Sequence, residues 1–362
     1  VRMRIAIVFN EPYPSRYDAA GEEKAVLGVL QAASAVHQAL LELGHDVICT
    51  SLAPPAAQAR KKLEALNADL VFNLFEGFCG RPETEALVPE TLSALGIPYT
   101  GCPGKMLRLA LDKAKVKVLL KASGIPTPDF QLLNHHTLHM FRLIYPCIVK
   151  PRGEDASHGL TEASVVSNLT ALKKQVKLIT ESYSGSALVE EFIDGREFNA
   201  TVLGNFQSTV LPISEIAYSL PPEMPRILTF AAKWETDSQY FQGTRAICPA
   251  EIEAQLRERI KQTALEAFRL LGGQGYARVD MRLNQEGHPS VIEVNPNPDI
   301  SPDSGAVRQA GAAGMPYPMF IEKLIRLALE KEYHENQYPP DAERRQASLD
   351  EDTAEYARVQ SL

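Results

Sequence analysis

Long apolar runs, a basic surplus and paired cysteines are all missing from this chain. No stretch approaches the roughly eighteen consecutive apolar residues of a membrane-spanning helix, so no membrane partner is expected. Lysine and arginine number 37 against 45 aspartates and glutamates. The resulting net charge of −8 argues against non-specific nucleic-acid binding, which draws on clustered cations. The five cysteines (Cys49, Cys79, Cys102, Cys147, Cys248) are odd in number, scattered and free of C-x-x-C spacing. That fits thiols kept reduced in a cytosolic protein better than a disulfide framework. The opening RMRIAIVF is too short and polar for a signal peptide and predicts a first β-strand. Histidines cluster at Asn134–His135–His136 and His139, without further His or Cys at ligand spacing, which predicts a polar surface turn.

At 362 residues the chain exceeds the size at which one core keeps growing, so two or three subdomains are expected. Its 45% hydrophobic and 23% charged residues are those of an ordinary globular protein. Apolar runs at 4–9, 45–50 and 69–74 alternate with helical patterns at roughly 22–43, 57–67 and 83–95, and a short strand begins at Pro98–Gly101. Such alternation implies a parallel sheet covered on both faces, with ligands beyond the C-terminal strand ends. Those ends carry Asn10–Glu11 and Glu76–Gly77.

A boundary is expected near 104, followed by a helix over about 105–122. Next come a strand Cys147–Lys150, the glycine-containing loop Pro151–Gly159, a helix over 168–180 and a strand Ala187–Phe192. Strands Glu197–Leu203 and Phe206–Pro212 precede a polar, proline-containing segment 215–247 that reads as a long loop. A helix over 250–271, a hairpin and helices over 304–313 and 318–332 complete the pattern. The expected division is 1–104, 105–186, 187–335 and a polar peripheral tail 336–362.

The most informative stretch is YARVDMRLNQEGHPSVIEVNPNP. Two apolar runs flank the polar turn Asn284–Gly287, the pattern of a β-hairpin. Side chains two apart on a strand share a face, so Asp280, Glu293 and Asn295 become convergent oxygen donors with Arg278 beside them. Hard oxygens of this kind suit Mg²⁺, or Mn²⁺ in its place, and Mg²⁺ usually shares its shell with phosphates. A fixed guanidinium beside it can meet a phosphate. Acidic residues flank many hairpins. Here, however, the prolines of Asn295–Pro296–Asn297–Pro298–Asp299 end the ladder abruptly and leave a rigid polar loop at the acidic strand end. A nucleotide–magnesium site is expected.

Five segments carry a resemblance: LDKAKVKVLLKASGIPTP, CIVKPRGEDASHGL, LVEEFIDGREFNATVLG, AAKWETDSQY and the hairpin. In order and spacing the chain resembles the ATP-grasp carboxylate–amine ligases, most closely the D-alanine–D-alanine ligases, up to about residue 330. The resemblance implies an α/β and α+β molecule, an ATP-grasp fold in which an N-terminal parallel-sheet domain joins two subdomains that grasp ATP. Lys113 and Lys150 then hold the ATP phosphates under the loop that includes Ser157. Glu190 faces the adenine amino group, the linker to Ile193 supplies backbone contacts, and Glu197 binds ribose. Lys233 and Trp234 match a lysine–tyrosine pair on the closing loop, where Trp234 is a lid residue or a hydrophobic anchor. Asp280, Glu293 and Asn295 match the magnesium ligands, and Arg278 the arginine that stabilises the tetrahedral intermediate. Ser304 matches a serine contacting the C-terminal substrate carboxylate. On the residues alone, the lysines read equally as surface cations and Glu190, Glu191 and Glu197 as strand-end charges. Such ligases are often dimers, so a homodimer is expected beside the small-molecule substrates.

Several positions depart from the family pattern. Asp299 follows Pro298 where the family has a glycine whose backbone N–H helps form the oxyanion hole. Ala156 and Trp234 replace two hydroxyl residues that help anchor the first substrate. Glu76 stands where a histidine is common. Glu22 or Glu23 could hold the first substrate's amino group, or be first-turn helix charges. The expected activity is ATP-dependent joining of a carboxylate to an amine through an acyl phosphate, with substrates shifted from two D-alanines. The alternatives are a phosphotransferase using the same nucleotide site and a non-catalytic nucleotide binder.

Overall fold

The computed structural model describes residues 2–11, 23–154, 159–183 and 185–335, with the side chains of 23–27 and 332–335 outside that description. Three sheets organise them. In the first, β1 (Arg4–Asn10) runs parallel between β2 (Asp46–Leu52) and β3 (Leu70–Leu74). β1 is buried over four consecutive residues, as a middle strand covered on both faces must be. Ile5, Ile7 and Phe72 face Val36 and Leu40 of α1 (Glu23–Glu42). On the other face, Ala6, Val8 and Val71 meet Ala59 and Leu63 of α2 (Ala56–Glu64) and Leu92 of α3 (Leu87–Leu95).

The helix expected over 105–122 is two helices, α4 (Gly104–Leu111) and α5 (Lys113–Ala122). Asp112 separates them at φ −87°, ψ 86°; its carboxylate accepts from the Lys115 N–H at 3.1 Å and from Arg152 Nε at 2.9 Å. A short acceptor that caps the next helix and binds a distant arginine offers the backbone a better arrangement than continuity. The second sheet is antiparallel, built from β4 (Phe130–Leu133), β5 (Cys147–Pro151), β6 (Val165–Val166) and β7 (Ala187–Glu191) in the order β4-β7-β5-β6. The helix α6 (Leu169–Tyr183) covers one face through Leu172, Val176 and Ile179. The Asn134 turn is closed by its own side-chain oxygen, which accepts from the N–H groups of His136 and Thr137.

The third sheet has the order β11-β10-β8-β12-β13, with β9 on β8. Its elements are β8 (Glu197–Gly204), β9 (Ser208–Val210), β10 (Ser214–Tyr218), β11 (Thr244–Ile247), β12 (Gly275–Leu283) and β13 (Pro289–Pro296). The segment 215–247 is therefore not a long loop. Its ends pair as strands, Ile216 opposite Ala246, and its middle carries α7 (Phe230–Trp234) and α8 (Gln239–Gln242). Pro221, Pro222 and Pro225 break the apolar pattern that would have announced these short elements. Ile227, Ala232 and Tyr240 pin the segment onto Ile148 of β5, so it spans from the third sheet to the second.

Ile260, Ala264, Ala267 and Phe268 recur at helical spacing on α9 (Ala254–Leu270) and pack on Ala200, Val202, Ala277 and Val279. On the opposite face, Leu203 and Tyr276 meet α10 (Gly305–Ala312) and α11 (Tyr317–Glu335), in one core with Ile5 and Ile7 of β1. The first and third sheets thus share buried surface, which sets the site's geometry. No helix among the described residues is long and apolar enough to cross a membrane.

Candidate active site

The β12–β13 hairpin closes as its sequence dictates, with the Asn284 N–H donating to the His288 carbonyl at 2.9 Å. Its register puts Asp280 opposite Glu293 and Arg278 opposite Asn295, with an irregularity just after Asp280. Arg278 and Asp280 do share a face: Nε and Nη2 of the arginine donate to the two carboxylate oxygens at 2.7 and 2.8 Å. Asn199 and Asn295 add amide donors to Asp280 at 2.7 and 2.9 Å. Burial, aided by Glu293, pushes the Asp280 carboxyl up against the pull of Arg278. Burial acts on Glu293 in the same sense, but Lys113, Lys150 and Lys233 outweigh it and bring the group down to about 2. Glu293 is therefore a carboxylate at any physiological pH.

Across the cleft the second sheet supplies cations. Lys113, the first residue of α5, reaches Glu293 Oε1 at 3.1 Å and also donates to the Glu154 carbonyl. Lys150, at the end of β5, donates to Glu190 Oε2 at 3.0 Å. Lys117 was not anticipated. It is 2% exposed, lies 3.4 Å from Glu190 Oε1 and donates to Thr127 Oγ1 at 3.0 Å. Its spacing of four from Lys113 puts both on one helix face, a signal that was there to be read. Lys117 neutralises Glu190 across a long 3.4 Å contact that leaves Oε1 of this buried carboxylate without a well-formed hydrogen bond.

Glu197 lies in the same cleft, its Oε2 held by Arg282 and by the Tyr218 hydroxyl at 2.7 Å. The Ile193 carbonyl accepts from Arg282 Nη1 at 2.9 Å. Arg282 and Tyr218 also escaped the sequence reading, although Arg282 lies two residues beyond Asp280 and so on the same strand face. Lys233 lies in the last turn of α7 and lines the cleft. Trp234 follows it, near the Phe230 ring and 4.0 Å from where a Cβ on Gly28 of α1 would sit; its buried indole N–H has no partner.

A second concavity joins the C-terminal end of β3 to the loop after β13, through Asn73, Phe75, Glu76, Tyr276 and Asp299. Asp299 Oδ1 accepts from the Ser301 N–H and hydroxyl at 2.9 and 2.6 Å, which fixes the turn. Ser304 is the N-cap of α10, its Oγ accepting from the Val307 N–H at 3.4 Å. Glu22 and Ser157 lie outside the described residues, as does Ala156, and Glu23 opens α1 with its side chain outside the description. The structure thus gathers Lys113, Lys150, Glu190, Glu197, Lys233, Arg278, Asp280 and Glu293 at one cleft, with Asn295 bonded to Asp280.

The family model described as D-ala D-ala ligase C-terminus matches residues 119–326. The D-alanine–D-alanine ligase of Gluconobacter oxydans is 32% identical over 304 residues, covering 83% of this chain and 94% of that one. An uncharacterized Sinorhizobium fredii protein, y4sG, is 35% identical, covering 90% of this chain and 97% of its own length. Among solved structures, the ATP complex of the Bacillus anthracis D-alanine–D-alanine ligase superposes with a TM-score of 0.71 at 22% identity, covering 92% of this chain and 99% of that one. The fold is that of the ATP-grasp enzymes, and these matches place the molecule among ATP-dependent ligases. Within that class, the chain belongs to the D-alanine–D-alanine ligase family, as its five segments had implied.

Proposed function

We propose that this ligase joins the carboxylate of one amino acid to the amine of a second through an acyl phosphate formed from ATP. The observation that carries the reading is the convergence of Lys113, Lys150, Arg278, Asp280 and Glu293 on one cleft between two sheets. Phosphoryl transfer asks the protein mainly for positioning and charge neutralisation, and this is a site built of both.

The residues fit ATP. Lys113 and Lys150 supply cations for its phosphates, and Glu190 Oε1, which Lys117 approaches without a well-formed bond, is an acceptor for a donor such as the adenine amino group. They also fit Mg²⁺. Glu293 and the amide oxygen of Asn295 offer hard oxygens, Asp280 would join them by giving up one of its hydrogen bonds from Arg278 or the asparagines, and phosphate oxygens would complete the shell. Bound there, the metal would neutralise charge on the transferring phosphoryl group.

A carboxylate oxygen of the first substrate attacks the γ-phosphorus, and ADP leaves. The amine of the second then attacks the acyl carbon, and the tetrahedral oxyanion collapses to the amide with loss of phosphate and a proton. Arg278 and the backbone N–H of Asp299 face that oxyanion. Ser304, whose oxygen accepts from Val307, retains its own hydroxyl hydrogen for a substrate carboxylate. Glu22 or Glu23 holds the first substrate's amino group. The segment over Ile148, with Lys233 and Trp234, excludes water that would hydrolyse the acyl phosphate. The three sheets support a division at about residue 104, but β7 (Ala187–Glu191) pairs inside the second sheet, so they favour a second boundary between Glu191 and Glu197 rather than at 186.

Ala156, Trp234 and Asp299 support a substrate pair other than two D-alanines. Phosphate release from MgATP with D- and L-amino acids, singly and in pairs, tests this, with mass spectrometry of the products. Pair-dependent release and a product lighter by one water than the summed substrates is expected. D-alanine alone giving its dipeptide would overturn the substrate shift, and release without amide would overturn the ligase reading.

A further inference from the structure

Arg282 carries a part of nucleotide recognition that the ligase reading leaves unassigned. It sits on β12 opposite Glu197 of β8, and its side chain is 5% exposed. Nε and Nη2 both donate to Glu197 Oε2, at 3.1 and 2.5 Å, and the Tyr218 hydroxyl donates to the same oxygen at 2.7 Å. All three bonds fall on Oε2, so among the described residues Oε1 is left for a ligand in the cleft that Glu197 lines. The rest of the guanidinium reaches backbone on two other elements. Nη1 donates to the carbonyl of Ile193 at 2.9 Å, and Nη2 to the carbonyl of Arg226. Arg226 is tied in turn to Asp194, at 2.9 and 2.7 Å, next to Ile193. One planar group thus fixes the glutamate, the linker after β7 and the start of the segment that covers the cleft.

The two carbonyls take the donors that Glu197 leaves over, and because they lie on two other elements they tie the buried guanidinium, and with it Glu197, to the linker and the covering segment at once. A lysine could not replace it, because a single ammonium cannot span a carboxylate and two carbonyls in one plane. We propose that Arg282 is the positioning residue for ribose recognition: it presents Glu197 Oε1 to the nucleotide's ribose hydroxyls and couples that contact to the seating of the covering segment. This rests on the nucleotide site proposed above, with Glu197 as its ribose acceptor.

The experiment compares ATP with 2′,3′-dideoxy-ATP in steady-state phosphate release by the full-length enzyme. The variants are Glu197→Gln, Arg282→Met, Arg282→Lys and Tyr218→Phe. The parent enzyme is expected to prefer ATP by about tenfold in kcat/KM, the worth of one hydrogen bond to a charged acceptor. Arg282→Met should bring that ratio close to one and raise the KM for ATP by about tenfold, with the KM for the amino-acid substrates unchanged. Arg282→Lys should not restore it. Tyr218→Phe removes one bond and keeps the ion pair, so it should lower the ratio by about half even if the Arg282 variants do not fold.

An unchanged ratio in Glu197→Gln would remove the ribose reading itself. A collapsed ratio in Glu197→Gln beside unchanged ratios in Arg282→Met and Tyr218→Phe would overturn the positioning role alone. A proportional rise in all KM values with the ratio intact would mark Arg282 as structural, and would also overturn it.

Discussion

Glu190→Gln should make the stability of this protein depend on pH in a way the parent's does not. Lys117 is 2% exposed, and burial lowers its titration to about 8 even with Glu190 3.4 Å away. The neighbouring cations that act on it are Lys150 and Lys121. Without the Glu190 charge, burial and those cations push Lys117 lower still, and the folded variant sheds the proton near neutral pH. The unfolded lysine keeps its proton up to about 10.5. The unfolded variant then binds one proton more than the folded, so its stability rises with pH, by about 1.4 kcal/mol per unit. The parent holds the proton in both states below about pH 8, so the same slope is absent there. Relative to the parent, Glu190→Gln should lose about 1 kcal/mol between pH 8 and pH 6, because the slope acts only above the variant's near-neutral titration. Adding Lys117→Met should abolish the slope, since methionine fills the apolar site without a titrating group. Urea unfolding at pH 6, 7 and 8 measures all three proteins. A destabilisation by Glu190→Gln that is the same at each pH would refute the reasoning.

Three further outcomes follow from the geometry. Gly101→Ala places a Cβ 2.5 Å from Asn297 Oδ1 at a residue with φ +93°, and should cost about 2–4 kcal/mol in thermal unfolding while lowering turnover. Turnover should fall because Asn297, itself at φ 46°, holds the loop that carries Asp299 by accepting from the Cys102 N–H. Arg278→Lys, which loses the two-point grip on Asp280, should lower kcat by about 10²–10³ with the KM for ATP changed only a few-fold. The His45 imidazole is lowered below 6.5 mainly by burial, and its Nδ1 accepts from the Met3 N–H. Stability should therefore decline as pH falls below about 6.5 towards the folded value, and His45→Gln should flatten that part of the pH profile in urea unfolding.

The hairpin was legible because period two and a polar turn leave one register, and that register brings Asp280 beside Glu293. The parallel sheet was legible for a similar reason, since β1 and β3 are short apolar runs closed by glycine-marked helices. The covering segment was not. Its strands are four and five residues long, its helices four and five, and its order comes from Tyr240 and Ile227 packing on a distant strand. The break at Asp112 depends on Arg152, forty residues away, and no local pattern announces it. Within the site, charges with a motif around them were found, whereas Lys117 and Arg282 drew no reading. Their burial is decided by partners on other elements, Glu190 and Glu197, which the local sequence does not display.

The central claim is that a substrate carboxylate attacks the γ-phosphorus. Labelling that carboxylate with ¹⁸O and analysing the released phosphate by mass spectrometry tests it most directly. The account predicts one ¹⁸O atom in the phosphate for each amide formed, because the acyl phosphate's bridging oxygen leaves with phosphorus. Unlabelled phosphate accompanying the amide would contradict it.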